Sequence, residues 1–315
     1  MCSLFGLIDY QNVLTTRQKN RILQVLGKEC EVRGTDATGI AYNFSGSIKV
    51  FKRPLAAHKL KFCVPNGIRI VMGHTRLATQ GKPADNFNNH PWSTGSFALA
   101  HNGVLWNDKE LRQTENLPDT HIQTDSYVAV QLLEQAKALD FTTISTMAEK
   151  IQGSFVFTVL DRDDNLYFVR GDNPLAIFDF DGFYLYASNE EILRRAMRKL
   201  RLHHQEAVNT EEGDILKIDR AGQRSFGHFN PNHSMEHFWR NPRLRMLSWF
   251  DEVGEPEAID GQTDLLIQAA KSIGVSEDEV LALLDLGYDP CEIEELLYNP
   301  ALLHEAAAEL LYAYY

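Results

Sequence analysis

No C-x-x-C pair occurs in this 315-residue chain, and its four cysteines, Cys2, Cys30, Cys63 and Cys291, are widely scattered. That spacing excludes a disulfide framework and a cysteine-rich zinc site, and it fits a reducing cytoplasm. No apolar run is long enough to span a bilayer, so no membrane association is expected. Residues 1–10 lack the basic start of a signal peptide. Neither a P-loop nor a G-x-G-x-x-G occurs, so no nucleotide cofactor is expected, and no metal.

Positive charge is scarce in one place only. The net charge is −12. From Asp251 to Tyr315 there are 16 acidic residues and one base, Lys271, against 27 acids and 30 bases in the rest. The negative excess therefore lies in the last fifth of the chain and marks a distinct C-terminal module. Nucleic acid is a poor candidate ligand, because phosphate binding needs clustered positive charge.

Short apolar runs predict strands over Ser3–Asp9, Gly39–Phe44, Ser47–Phe51, Ile68–His74, Ser96–Leu105, Ser154–Asp161, Leu166–Arg170, Leu175–Asp179, Phe183–Ala187 and Asp214–Asp219. Helical spacing covers Thr15–Glu31, Asp125–Ala136, Thr143–Ile151 and Glu190–Leu202. Gln80–Thr94 is too rich in Gly, Pro and Asn for regular structure. Many strands with few helices between them point to antiparallel sheets with covering helices, an α+β architecture. The division expected is a domain over 1–229, a linker over 230–261 and an acidic helical module over 262–315. The module carries four short helices, Asp264–Ile273, Ser276–Leu286, Asp289–Leu297 and Pro300–Tyr314, with a capping box at Ser276 and Glu279.

Four features carry chemistry. Cys2 precedes a buried strand, and removal of Met1 would free its α-amine. That amine, with an ordinary pKa of about 7.7–8.0, can take the proton of a thiol whose own is about 8.5. Nucleophile and base would then share one residue. Arg33-Gly34-Thr35-Asp36 forms a tight loop at a strand entry. Gly73-His74-Thr75-Arg76 ends a strand in a guanidinium that can grip a carboxylate with two bonds. His101-Asn102-Gly103 sets a side-chain amide beside a main-chain N–H, the composition of an oxyanion hole. Taken singly, each has an ordinary reading: an inert thiol, a turn, a surface ion pair, an Asn-Gly hairpin.

Taken in order with Asn88-Asn89-His90-Pro91 and Thr124-Asp125-Ser126, these motifs resemble the class II glutamine amidotransferases, which are N-terminal-nucleophile hydrolases. The chain looks most like the glutaminase domain of glucosamine-6-phosphate synthase and amidophosphoribosyltransferase. Gly153-Ser154-Phe155, Arg170-Gly171-Asp172-Asn173-Pro174-Leu175, Ala187-Ser188-Asn189 and Glu212-Gly213-Asp214 continue the similarity to about residue 220. Ser3, Leu77, Gln80 and Gln123 depart from the usual pattern.

The resemblance implies a four-layer αββα sandwich of two antiparallel sheets. It implies Cys2 as nucleophile and Asn102 with Gly103 as the oxyanion hole. Arg76 would hold the substrate α-carboxylate and Asp125 its α-ammonium, while Thr79 and His90 line or support the pocket. No cofactor or metal is implied. The expected activity is hydrolysis of the glutamine side-chain amide through a thioester, giving glutamate and ammonia. The ammonia would pass to a separate synthase, since no room remains for an acceptor domain of usual size. A stand-alone amidohydrolase acting on a γ-glutamyl amide, and a non-catalytic regulatory protein retaining the fold, are the alternatives. The acidic module is faintly similar to ubiquitin-associated-type helical modules. It reads either as a docking element for a basic partner or as a solvated helical appendix.

Overall fold

The computed structural model describes residues 2–136, 138–203 and 205–232, and in the C-terminal part 267, 270–271, 275–285, 293, 296–297 and 303. The chain divides into two compact units, Met1–Asn241 and Pro242–Tyr315.

The first unit is built on two sheets whose strands pair antiparallel throughout. One has seven strands in the order β11-β9-β10-β1-β4-β2-β3. These are β1 (Ser3–Ile8), β2 (Ala37–Phe44), β3 (Ser47–Arg53), β4 (Ile70–Arg76), β9 (Ala176–Asp179), β10 (Tyr184–Ala187) and β11 (Glu206–Ala207). The other has six in the order β13-β12-β8-β7-β6-β5. Its strands are β5 (Trp92–Ser93), β6 (Phe97–Leu105), β7 (Gly153–Asp161), β8 (Leu166–Arg170), β12 (Asp214–Ile218) and β13 (Arg224–His228).

Side-chain alternation sorts each strand between two cores. On β1, Phe5 and Leu7 pack against Ile22, Leu23 and Leu26 of α1 (Thr16–Cys30) and Ile192 and Leu193 of α5 (Glu190–Leu200). Its Leu4 and Ile8 face the opposite way and meet Ala98, Ala100, Val156 and Phe168 of the second sheet. Beyond that sheet, Val128 and Leu132 of α3 (Tyr127–Gln135) and Ile144 and Met147 of α4 (Phe141–Lys150) close the outer core. The result is helix, sheet, sheet, helix: the four-layer sandwich expected from the sequence. Burial on both faces explains why β1 reads as a continuous apolar run.

Among the described strands and α-helices, four were not expected from the sequence. The two-residue strands β5 and β11 are too short to show a pattern, and β5 falls within Gln80–Thr94, where no regular structure was expected. Helix α2 (Asp108–Thr114) buries only Leu111. Strand β13 has an exposed–intermediate alternation and lies at a sheet edge. Both α2 and β13 lack the apolar content that periodicity needs.

In the second unit, α6 (Glu277–Asp285) matches the helix expected from Ser276. The capping box is present: Ser276 N–H and Oγ donate to Glu279 Oε2 at 2.9 and 2.7 Å, and Glu279 N–H returns to Ser276 Oγ at 3.3 Å. Ile267, Ala270, Val275, Val280, Leu283, Ile293 and Leu303 form a small apolar core. The linker and the remaining helices of the module lie largely outside the described residues.

Candidate active site

Strand register assembles the site. β1 runs antiparallel to β4 with Ser3 opposite Thr75, so the residue before Ser3 meets the end of β4 at Arg76 and Leu77. β6 crosses beneath in the other sheet. The His74 Nε2–H donates to the His101 main-chain carbonyl at 2.9 Å and links the two sheets below the site. Cys2, Arg76, Thr79, His90, Gly103 and Asp125 line one pocket, together with Leu77, Gln80, His101, Thr124 and Ser126. Six of the seven residues singled out in the sequence thus share a cavity. The seventh, Asn102, adjoins Gly103 on β6; its side-chain amide is fully buried and unpartnered among the described residues. An unpaired buried amide is costly unless something else occupies it.

The Cys2 thiol donates to the Leu77 carbonyl at 3.4 Å. Burial pushes its pKa up, opposed by the Leu77 backbone and by the Arg76 charge. The main-chain carbonyl of Cys2 accepts from Arg33 Nε at 2.9 Å. The loop that reads as an ordinary turn therefore has a role: Arg33 fixes the Cys2 carbonyl. At its other end, Asp36 Oδ2 accepts the Ala78 N–H at 2.8 Å, while the Asp36 N–H donates to the Arg76 carbonyl at 2.9 Å. Gly34 between them passes so close that a Cβ would lie 2.5 Å from the Arg76 carbonyl carbon. The sequence signal for this clamp was the compact Arg-Gly-x-Asp spacing, which says nothing of what it grips.

Arg76 is almost fully buried. Its Nη1 donates to Asn89 Oδ1 at 2.8 Å, and its Nη2 donates to the Gly81 carbonyl at 2.9 Å and to that of Gln80. Burial lowers its pKa, and Cys2, Asp36 and Asp125 oppose the shift. Lys52 supports the same network, with Nζ donating to the Asn89 carbonyl at 2.5 Å. Burial, then the Arg76 charge, push the Lys52 amine down to about 8.

Asp125 Oδ2 accepts the Leu105 N–H at 2.6 Å, and Oδ1 accepts the Ser126 hydroxyl at 2.9 Å. His101 Nδ1 lies 2.7 Å from Ser126 Oγ and its ring stacks on Phe157. His90 sits between His74 and Trp92, ring centroids 4.1 and 3.9 Å away, with neither ring nitrogen partnered among the described residues. Gly103 takes φ +143°, and a Cβ there would fall 1.8 Å from the Ser154 carbonyl oxygen, so only glycine fits. Among the described residues no three His, Cys, Asp or Glu side chains converge as a metal site would require, and no helix is long and apolar enough to cross a membrane.

One pocket thus holds a thiol, a buried guanidinium, a buried carboxylate and a glycine N–H beside an unpartnered amide. Opposite charges at two points suit a zwitterion, and the pairing of Asn102 with Gly103 has the composition that suits a developing oxyanion.

Residues 74–195 match the family of the glutamine amidotransferase domain. The chain is 33% identical over 228 residues to a glutamine–fructose-6-phosphate aminotransferase [isomerizing] of Geobacillus kaustophilus, covering 69% of this chain and 36% of the relative. The Staphylococcus aureus enzyme of the same name is 30% identical over 237 residues, covering 70% of this chain and 38% of the relative. The chain spans little more than a third of the length of these relatives. In fold it is similar to glutamine phosphoribosylpyrophosphate amidotransferase from B. subtilis, with a TM-score of 0.56 at 20% identity, over 87% of this chain and 59% of that one. A second structure, the allosteric regulatory enzyme of purine biosynthesis, gives a TM-score of 0.57 at 19% identity over the same shares.

Proposed function

We propose that the class II glutamine amidotransferase domain carried by this chain hydrolyses the side-chain amide of glutamine, with Cys2 as nucleophile once Met1 has been removed. In the unprocessed chain the Cys2 nitrogen is a peptide amide and cannot serve as a base; removal of Met1 turns it into an amine. The amine takes the thiol proton and the sulfur attacks the amide carbon. The oxygen gains the negative charge, which the Asn102 Nδ2–H and the Gly103 N–H stabilise. Collapse of the tetrahedral adduct breaks the C–N bond, and the α-ammonium returns its proton to the departing ammonia. Water then cleaves the thioester to glutamate and restores the thiol.

The observation that carries this reading is the pairing of Arg76 and Asp125 in the pocket of Cys2. Arg76 would take the α-carboxylate and Asp125 the α-ammonium, with Thr79 and His90 completing the wall. Burying one charge without the other would cost roughly 3–5 kcal/mol. The unpartnered Asn102 amide supports the oxyanion role, since a bound intermediate would supply its missing partner.

The ammonia is destined for an acceptor on a separate synthase; a stand-alone amidohydrolase would instead release it. Ammonia formation by the purified protein without an acceptor distinguishes the two. Mass spectrometry of the intact protein before and after a glutamine-analogue electrophile tests the nucleophile. The expected result is loss of Met1 and a single label on Cys2; a fully active protein that retains Met1 contradicts the reading.

A further inference from the structure

We propose that Ser126 is a positioning residue that aims the Asp125 carboxylate and thereby sets the preference for substrates bearing an α-ammonium group. The inference rests on Asp125 holding that ammonium.

Ser126 stands at the N-cap of α3, where a serine hydroxyl ordinarily accepts an N–H of the first turn. Here it makes no capping bond, and Ser126 itself has helical φ and ψ of −65° and −18°. Its hydroxyl donates instead to Asp125 Oδ1 at 2.9 Å, on the neighbouring residue. A carboxylate oxygen only accepts, so the single hydroxyl proton is committed to Asp125. Ser126 Oγ then accepts from His101 Nδ1–H at 2.7 Å. His101 cannot turn away, because it is buried and stacked on Phe157 with ring centroids 4.7 Å apart. The other oxygen, Oδ2, is fixed by the Leu105 N–H of β6 at 2.6 Å. Each oxygen thus has one fixed donor and keeps acceptor capacity for a ligand. The plane of the carboxylate is set by a strand on one side and by a histidine–serine relay on the other. Without the hydroxyl, Oδ1 would lose its donor and the carboxylate could rotate about its last bond.

The test uses the full chain and two amides, glutamine and glutaramate, which is glutamine without its α-amino group. The readout is the ratio of the two kcat/KM values. Asp125→Asn should abolish the preference for glutamine. Ser126→Ala should lower the ratio about tenfold, carried by KM for glutamine, as loss of one charge-assisted hydrogen bond would do. Ser126→Thr keeps the hydroxyl and should restore the ratio. The near-isosteric Ser126→Cys, a weaker donor, should fall between and provides a second reading if the alanine variant does not fold. Equal loss on both amides, or an unchanged ratio in Ser126→Ala and Ser126→Cys, would overturn the proposal while leaving the role of Asp125 standing. An unchanged ratio in Asp125→Asn would remove that role and the proposal with it.

Discussion

The Asp36 carboxylate accepts the Ala78 N–H at 2.8 Å, so one loop holds the backbone of another directly beside the pocket. The held segment contains Leu77 and Thr79, both pocket-lining, and the Leu77 carbonyl that the thiol touches. Asp36→Ala should free this segment and raise KM for glutamine about tenfold, the effect of losing a hydrogen bond to a charged group of roughly 1.5–3 kcal/mol. Steady-state kinetics with an unchanged KM would remove the clamp from the account.

Cys2→Ala should abolish glutamine hydrolysis without unfolding the chain, because the residue lies before β1 rather than within its core. Cys2→Ser should be slower by orders of magnitude, since a hydroxyl is much harder to deprotonate than a thiol. Ammonia release and thermal melting, measured on the same samples, separate chemistry from stability. Ordinary turnover in Cys2→Ala would sink the mechanism.

Arg76→Lys keeps the charge but loses the planar fork that spans Asn89, Gln80 and Gly81. It should raise KM more than it lowers kcat. It should also loosen the segment around Gly81, which limited proteolysis would detect as faster cleavage there. A kcat loss with an unaltered KM would contradict the assignment.

Three buried histidines make stability depend on pH. Burial pushes His74 down to about 3 and His101 to about 4, and His90 well below its ordinary value; neighbouring positive charges add to the shift at His74 and His90, while Asp125 opposes it at His101. In the unfolded chain each titrates near 6.5. Between these limits the unfolded state binds more protons, so the neutral histidines contribute fully above about 6.5 and lose their contribution as pH falls through that window. Stability should drop by a few kcal/mol between about pH 7 and about pH 4. Urea midpoints that stay flat over that range would contradict the burial of neutral rings.

Several site residues were legible because their chemistry is local. Asn102-Gly103 lies near the end of an apolar strand, and Arg76 ends one, so type and position could be read together. Other residues were not legible in their roles. Ser126 stands in the sequence only as the last residue of the Thr124-Asp125-Ser126 motif, and in the structure its hydroxyl serves a carboxylate and a histidine 25 residues upstream. Lys52 lies just past the strand expected over Ser47–Phe51 and was not singled out, yet its amine supports the partner of Arg76. His74 and His101 are 27 residues apart and meet only because their strands lie in facing sheets.

Alternation and spacing along the chain determined most of the strands and helices and the antiparallel sheets with covering helices, because those properties depend on neighbours a few residues away, while the ordered motifs carried the resemblance that implied the four-layer sandwich. Which hydroxyl, ring nitrogen or carboxylate finds which partner was decided by strand register and sheet stacking. The contact of His101 with Ser126 spans 25 residues of sequence and that of the Cys2 thiol with Leu77 spans 75. A hydrogen bond requires a placement within a few tenths of an ångström, and only the packed structure supplies it.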